Sequence, residues 1–390
     1  SSNRRSTKTF AQYSLANNYR SQANLVEFAS VFAHKLPHRL KTTPLIAKRN
    51  GTGQIDLYRY NKEPGLITAA TQYVINNKLI DCALLFRSNE EVLTAYSLLH
   101  GNGIKARYLV DNDGFNLGQL YELQMFLKKW SEQGTFDAAE QWFQDKFINS
   151  ADYNLAKKVI DNFYNQYESE IARAETHFMG VFSDYLDEIE FGEFNLNEGG
   201  IIVATMHKSK GKEFNNVVVV ANQNNSADGF DIRLLYVALT RAKNNLAIFT
   251  ASNIFDDISA ICSTVKNCSD TVPPPNKLIY IMKLSDIWLQ YDPAQYGIKE
   301  TRPLAGEELT IVQRNGNSEF TIEKNRHLVA KLAKATADNR RISSKILAKI
   351  AEGYTLDKEC VVEHVVRWVY PKHNREYYQV LCKISLSRAN

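Results

Sequence analysis

The 390-residue sequence has no apolar run long enough to cross a bilayer, and its five cysteines include no Cys-x-x-Cys pair. A spanning helix needs about 20 consecutive apolar residues, while zinc sites and disulfide frameworks need closely spaced or paired cysteines. A membrane-spanning helix, a zinc site and a disulfide framework are therefore not expected. The polar, basic start of the chain is not typical of a signal peptide. We expect an intracellular protein in a reducing compartment, with no metal-binding residue and no membrane contact.

The sequence also lacks the Gly-x-x-x-x-Gly-Lys-Ser/Thr motif with which P-loop proteins cradle nucleotide phosphates. Two glycine pairs, Gly51 with Gly53 and Gly101 with Gly103, have neither the required length nor the Lys-Ser/Thr ending. No Asp-Glu pair follows an apolar strand, where it would hold Mg²⁺. A complete nucleotide-hydrolysing site is therefore not expected within these residues.

One sign of charge is scarce in each of three regions, although the net charge of the whole chain is only +4. Residues 1–50 carry a net charge of +8, residues 111–200 carry −12, and residues 301–390 carry +6. This arrangement suits a protein that touches a polyanion with some surfaces and repels it with others. Solvated helix faces are the alternative interpretation, above all for the acidic middle region.

Short apolar runs alternate with helical patterns in residues 1–110 and 200–255. Residues 82–86, which are apolar throughout and bounded by polar residues, are typical of a strand buried on both faces of a parallel sheet. The alternation predicts an α/β domain with a doubly wound parallel sheet. A helix is predicted over residues 18–36, with Ser21 as its N-cap.

The remaining residues predict three further parts. Residues 111–199 have helical patterns rich in aromatic residues and are predicted to be a helical insertion. Residues 256–276 contain three consecutive prolines and are predicted to be a linker. Residues 277–390 are predicted to form a smaller α+β or β-rich domain with a basic helix over residues 327–350. Its cations and aromatic residues suit binding of single-stranded nucleic acid, with protein binding or an ordinary solvated helix as alternatives.

Residues 200–214 run from an apolar strand into a loop that contains cationic side chains, a glycine and a glutamate. Since ligands of open α/β sheets bind at the carboxyl ends of strands, this loop is a candidate site. The cationic side chains and the loop amides suit phosphate oxygens, Gly211 permits a positive φ angle or a close backbone approach, and Glu213 suits sugar hydroxyls. A basic surface loop without a ligand is the alternative.

Residues 232–243 are predicted to form a helix in which Arg241 is surrounded by apolar residues. An arginine in such a setting needs an acidic partner or a phosphate, whose oxygens match the planar guanidinium group. A structural ion pair or a solvated arginine is the alternative.

Together with residues 15–21, these segments resemble the UvrD/Rep family of superfamily 1 DNA helicases. Residues 15–21 resemble helicase motif IV, residues 206–214 motif V, and residues 234–243 motif VI. The resemblance implies a RecA-like second motor domain, of the kind called 2A, with residues 111–199 as a shortened form of the family's inserted 2B domain. Lys212 departs from motif V, which usually has an apolar residue at that position.

The resemblance also implies roles at an ATP site. Tyr19 would stack on the adenine, and Glu213 would hold the ribose beside Gly211. Arg20 and Arg241 would be the catalytic residues, because both would reach the γ-phosphate from this domain. A supplied arginine can raise the rate of phosphoryl transfer by roughly 10³–10⁵.

Thr205, His207 and Lys208 would contact DNA according to the same resemblance. The implied cofactor is ATP with Mg²⁺, the implied partners are single-stranded or partly duplex DNA and a separate P-loop motor domain, and the implied setting is the bacterial cytosol. The full protein would be an ATP-dependent helicase that moves 3′ to 5′, whereas these residues alone would be inactive. A non-catalytic module that serves as a DNA- or protein-binding platform is the alternative.

Overall fold

A computed structural model describes residues 16–37, 43–61, 65–109, 115–189, 200–221, 232–268, 275–289, 303–314, 319–336, 341–370 and 375–388 of the chain. The predicted features that fall on other residues, including most of the proline-rich part of the predicted linker, lie outside this description. None of the described helices is long and apolar enough to cross a membrane.

Within the described ranges the α-helices are α1 Ala23–Phe32, α2 Leu66–Asn76, α3 Asn89–Gly101, α4 Tyr121–Gln133, α5 Phe136–Phe147, α6 Tyr153–Ile171, α7 Glu175–Glu188, α8 Ile232–Leu239 and α9 Ile342–Ala351. The strands are β1 Asn17–Asn18, β2 Ile46–Ala47, β3 Gln54–Tyr60, β4 Cys82–Phe86, β5 Ala106–Leu109, β6 Ile201–Thr205, β7 Phe214–Ala221, β8 Ala242–Thr250, β9 Thr264–Cys268, β10 Lys277–Ile281, β11 Glu308–Arg314, β12 Glu319–Lys324, β13 His327–Lys331, β14 Tyr354–Tyr370 and β15 Arg375–Arg388.

The chain divides into two compact units, of which unit 1 comprises Ser1–Val110 and Gly200–Pro274, and unit 2 comprises Asp111–Gly199 and Pro275–Asn390. Unit 1 contains a seven-stranded sheet with the order β5-β6-β4-β7-β8-β3-β9. Every pairing in this sheet is parallel. The predicted α/β fold with a parallel sheet is therefore confirmed. Strand β9 lies inside the predicted linker and forms one edge of the sheet.

The central strands of unit 1 divide their side chains between two cores. On β4, Ala83 and Leu85 belong to one core, whereas Cys82, Leu84 and Phe86 belong to the other. Successive strand residues point to opposite faces of a sheet, so an unbroken apolar run buries both faces. Helices α1 and α8 cover the first face, and α2 and α3 cover the second.

Unit 2 contains a six-stranded sheet with the order β10-β15-β14-β11-β12-β13, in which every pairing is antiparallel. The predicted α+β character of residues 277–390 is thus present. The predicted basic helix over residues 327–350 is wrong, because its first part forms β13 and, among the described residues of this range, the helix begins only at Ile342. His327 follows a tight turn in which Asn325 and Arg326 have positive φ angles, and this turn closes a hairpin with β12.

The helical segment of unit 2 packs on this sheet, although the two are separate parts in the sequence-based prediction. The amide of Ala151 donates a hydrogen bond of 2.9 Å to the carbonyl oxygen of Ala305. The rings of Tyr121 and Tyr378 meet edge to face, with 4.8 Å between their centroids. Aromatic side chains such as Trp130 and Phe126 are fully buried among the helices, so their apolar area is removed from water within the same unit.

A prediction on stability arises where β8 passes Gly53. A Cβ atom at Gly53 would lie 2.0 Å from the backbone oxygen of Asn244. Because that oxygen belongs to a central strand, we expect Gly53→Ala to lower the free energy of unfolding by about 2 kcal/mol, measured by calorimetry. Gly101→Ala is the matched control, since a Cβ there meets no atom within 4 Å. Equal losses in the two variants would contradict the expectation.

Candidate functional site

Arg20, Glu213 and Arg241 meet beside the amino ends of β7 and β8. The Arg20 guanidinium forms an ion pair with the Glu213 carboxylate, and both side chains are partly exposed. The pKa of Arg241 is lowered by burial and by the positive charge of Arg20, while Glu213 acts in the opposite direction. Two guanidinium groups therefore lie near one carboxylate, which is ion-paired with Arg20. Such a cluster carries an excess positive charge and can bind an anion.

Arg241 lies on the turn between α8 and β8 and not in the helix predicted over residues 232–243, because α8 ends at Leu239. The half-buried guanidinium group donates to the carbonyl oxygens of Val237 at 2.9 Å and Lys212 at 3.2 Å. It also donates to the Thr240 hydroxyl at 3.1 Å. Three of the five N–H donors of an arginine are thus used within the described residues. The other two can reach an incoming ligand while the group stays fixed.

The loop that carries Arg20 is held by hydrogen bonds within the loop and by one hydrogen bond to the start of β8. The Asn18 side-chain oxygen accepts from the amides of Arg20 at 2.9 Å and Ser21 at 3.0 Å. The Ser21 hydroxyl donates to the carbonyl oxygen of Ala242 at 2.7 Å. The predicted N-cap role of Ser21 is therefore wrong, since α1 begins at Ala23 and the Ser21 hydroxyl ties the loop to the start of β8 instead.

Two residues that the sequence patterns do not single out support the same loop. The Arg49 guanidinium donates to the carbonyl oxygen of Arg20 at 2.8 Å and to the side-chain oxygen of Asn244 at 3.1 Å. Asn244 in turn donates to the side-chain oxygen of Asn215 at 2.9 Å. The available signal is weak: Asn215 and Asn244 each follow a motif segment at the entry of a strand, and Arg49 belongs to no motif.

Tyr19 has a ring that is unusually open to solvent for an aromatic residue. It is 71% exposed, and its hydroxyl accepts a hydrogen bond of 3.5 Å from the Asn17 side chain. Because the next residue is Arg20, the ring lies on a fixed loop, one residue from the cationic cluster that Arg20, Glu213 and Arg241 form. An exposed ring in this setting offers a flat face on which a base can stack.

Thr205, His207 and Lys208 lie at or just after the carboxyl end of β6, whereas the cationic cluster lies at the amino ends of β7 and β8. Thr205 ends β6 and is paired in register with Phe86, whereas Asn216 near the start of β7 is paired with Cys82. The four-residue offset along β4 corresponds to about 13 Å. The sequence pattern predicts that the loop with Gly211 and Glu213 lies at the carboxyl ends of the strands. That placement is wrong for Glu213, which immediately precedes β7 at its amino end.

The eight-residue loop between β6 and β7 runs from the carboxyl end of β6 to the amino end of β7. It contains a 3₁₀ turn, His207–Ser209, and the Ser209 hydroxyl donates to the carbonyl oxygen of Met206 at 2.6 Å. Gly211 has a φ angle of 81°, which confirms the predicted positive φ. The carbonyl oxygen of Lys212 accepts the hydrogen bond from Arg241. The exposed His207 is therefore connected to Arg241 through a short, ordered segment.

Comparisons with known proteins identify the same part of the chain. Residues 200–249 match the family described as the UvrD-like helicase C-terminal domain. This range contains β6, the loop with His207 and Gly211, β7, α8, Arg241 and most of β8. A solved structure, the C-terminal domain of a possible DNA helicase from Lactobacillus plantarum WCFS1, is 14% identical with a TM-score of 0.31, over 63% of this chain and 98% of its own. Among curated proteins, none matches the chain.

Proposed function

We propose that this chain, which matches the UvrD-like helicase C-terminal domain over residues 200–249, is the second, RecA-like motor domain of an ATP-dependent DNA helicase or translocase. The observation that carries the proposal is the convergence of Arg20, which is ion-paired with Glu213, and Arg241, which bonds to the carbonyl oxygen of the adjacent Lys212, near the exposed ring of Tyr19. In this function a P-loop domain outside these residues binds ATP with Mg²⁺, and the cationic cluster completes the site.

The proposed chemistry is stabilisation of charge on the transferred phosphoryl group. Phosphoryl transfer is catalysed mainly by positioning and by neutralising negative charge. Arg241, held by three acceptors of its own domain, offers its two remaining donors to the γ-phosphate. Arg20 exchanges part of its ion pair with Glu213 for a second contact with that phosphate. Glu213 then turns to the ribose hydroxyls, and Tyr19 stacks on the adenine.

The proposed motor cycle follows from the fact that both arginines reach out of this domain. ATP bound to a separate P-loop domain attracts the cluster and draws the two domains together, and hydrolysis removes that attraction. Thr205, His207 and Lys208 contact the DNA backbone at the carboxyl end of β6. Because the loop of His207 ends at the carbonyl group that holds Arg241, a change at the nucleotide is passed to the DNA contact.

The experiment that tests this function is steady-state ATP hydrolysis by the intact protein with Tyr19 replaced. Base–aromatic stacking contributes about 1–3 kcal/mol, so we expect Tyr19→Ala to raise KM for ATP roughly tenfold. Tyr19→Phe keeps the ring and should keep KM within about twofold of the wild type. Val265→Ala, which removes an exposed apolar side chain from β9, is the control. An unchanged KM in Tyr19→Ala would remove the proposed adenine contact.

A further inference from the structure

An open cavity of about 300 Å³ lies in unit 2 at the end of the antiparallel sheet formed by β11, β12 and β13. Its lining combines one large aromatic ring, an aliphatic side chain, three cations and two carboxylates. The residues are Trp288, Arg314, Glu319, Thr321, Glu323, Arg326, Leu328 and Lys331. The volume is at the lower end of small-ligand sites, which are about 300–1,000 Å³, so the cavity has room for one nucleotide unit.

The charges of the cavity are partly neutralised from within. Glu323 forms an ion pair with Arg314, and Glu319 forms one with Lys331 at 3.1 Å. Arg326 is exposed on the turn between β12 and β13, and no carboxylate among the described residues pairs with it. The lining therefore holds one cation in excess of its acids. Arg326 is exposed, so a phosphate can reach it from solvent.

The ring of Trp288 is fixed on the wall of the cavity while part of it stays open to solvent. The Trp288 amide donates to the carbonyl oxygen of Lys331 at 2.8 Å, which attaches the residue to β13. The Lys331 ammonium group lies 5.0 Å from the ring centroid, and the residue remains 39% exposed. A base can use the exposed part of the ring, and Lys331 adds positive charge nearby.

We infer that this cavity binds one nucleotide of a single DNA strand, with the base against Trp288 and its phosphate at Arg326. Aromatic rings that stack bases, combined with cations that follow the backbone, are the means by which proteins hold single strands without reading their sequence. Arg314 and Arg326 in the lining are both exposed, so a strand can reach the cavity from solvent. This contact goes beyond the proposed motor site, because it needs neither ATP nor any residue of unit 1.

The test is equilibrium binding of a fluorescent oligothymidine of about 15 nucleotides to the full chain without ATP, measured by anisotropy at several salt concentrations. We expect Trp288→Ala to weaken binding about tenfold and Trp288→Phe to weaken it less than threefold. We expect Arg326→Ala to weaken binding and to reduce the slope of log K against log salt by about 0.7, as for one lost phosphate contact on a single strand.

Lys128→Ala is the matched control, because it removes one exposed cation from α4 in the same unit, and its slope should not change. Unchanged binding in both Trp288→Ala and Arg326→Ala would overturn the inference. Equally tight binding of thymidine monophosphate would also overturn it, because the cavity would then be a site for free nucleotides. An unchanged KM in Tyr19→Ala would count against the adenine contact of the motor site only, since strand binding is measured here without nucleotide.

Discussion

Replacing Arg241 with alanine in the intact protein is expected to lower DNA-stimulated ATP hydrolysis by at least roughly a hundredfold, while the fold survives. Arg241 is already fixed before any ligand arrives, because Val237, Thr240 and Lys212 accept hydrogen bonds from its guanidinium group. A preorganised donor needs little rearrangement when charge develops on the phosphate. The loss should therefore appear mainly in kcat, with a smaller change in KM.

Two further variants make this first experiment decisive. Arg241→Lys keeps the charge but loses the planar fork that bonds Val237 and Lys212, so we expect it to recover only a small part of the rate. Arg233→Ala removes an exposed arginine from α8, eight residues before Arg241, and should leave turnover near the wild-type value. If Arg241→Ala turned over ATP as fast as Arg233→Ala, the motor function would be refuted and a platform role favoured.

The parallel sheet of unit 1 could be predicted from the sequence because its strands are buried on both faces. A strand such as Cys82–Phe86 must be apolar at every position, and its two cores need helices on both sides. Such a strand can therefore be recognised from a few consecutive residues of the sequence. The association of Arg20 with Arg241 followed from the motif resemblance alone, since 221 positions separate them in the chain.

Long-range polar contacts explain the parts that could not be predicted. Ser21 has the residue type and position of an N-cap, but its hydroxyl finds the carbonyl oxygen of Ala242 instead. His327–Lys331 is basic and reads as helix, yet pairing with β12 makes it a strand. In both cases a partner distant in sequence decides the local structure, and local propensity has no information about that partner.

The same limit applies to a buried polar cluster that joins the helical segment of unit 2 to its sheet. The Nδ1 atom of His364 on β14 lies 2.9 Å from the Asp152 carboxylate. Near this pair the Ser150 hydroxyl donates to Glu122 at 2.6 Å. Burial and the Asp152 charge raise the pKa of Glu122 to about 7. Burial lowers the pKa of His364, but the charge and hydrogen bond of Asp152 outweigh that effect and raise it to about 9.

The direction of the pH dependence follows from these two shifts. The ordinary pKa of histidine is 6.5, so the stability due to the His364 proton is complete below that value and is lost as pH rises through about 9. The ordinary pKa of glutamate is 4.5, so native Glu122 retains a proton that the unfolded chain releases between 4.5 and about 7. Both groups therefore make the wild-type free energy of unfolding fall as pH rises.

Asp152→Asn is expected to destabilise unit 2 by about 3 kcal/mol near pH 6, because it leaves a partly buried imidazolium without its buried counter-charge. The neutral amide cannot hold the His364 proton, so the fall in stability toward about pH 9 should also flatten. The four tryptophans of the chain all lie in unit 2, so guanidinium unfolding followed by their fluorescence reports on this unit.

Asp184→Asn, an exposed carboxylate on α7, should keep both the stability and the pH slope of the wild type. A variant at Asp152 with the full wild-type slope would show that another group holds the His364 proton, because the slope depends on that proton and not on packing.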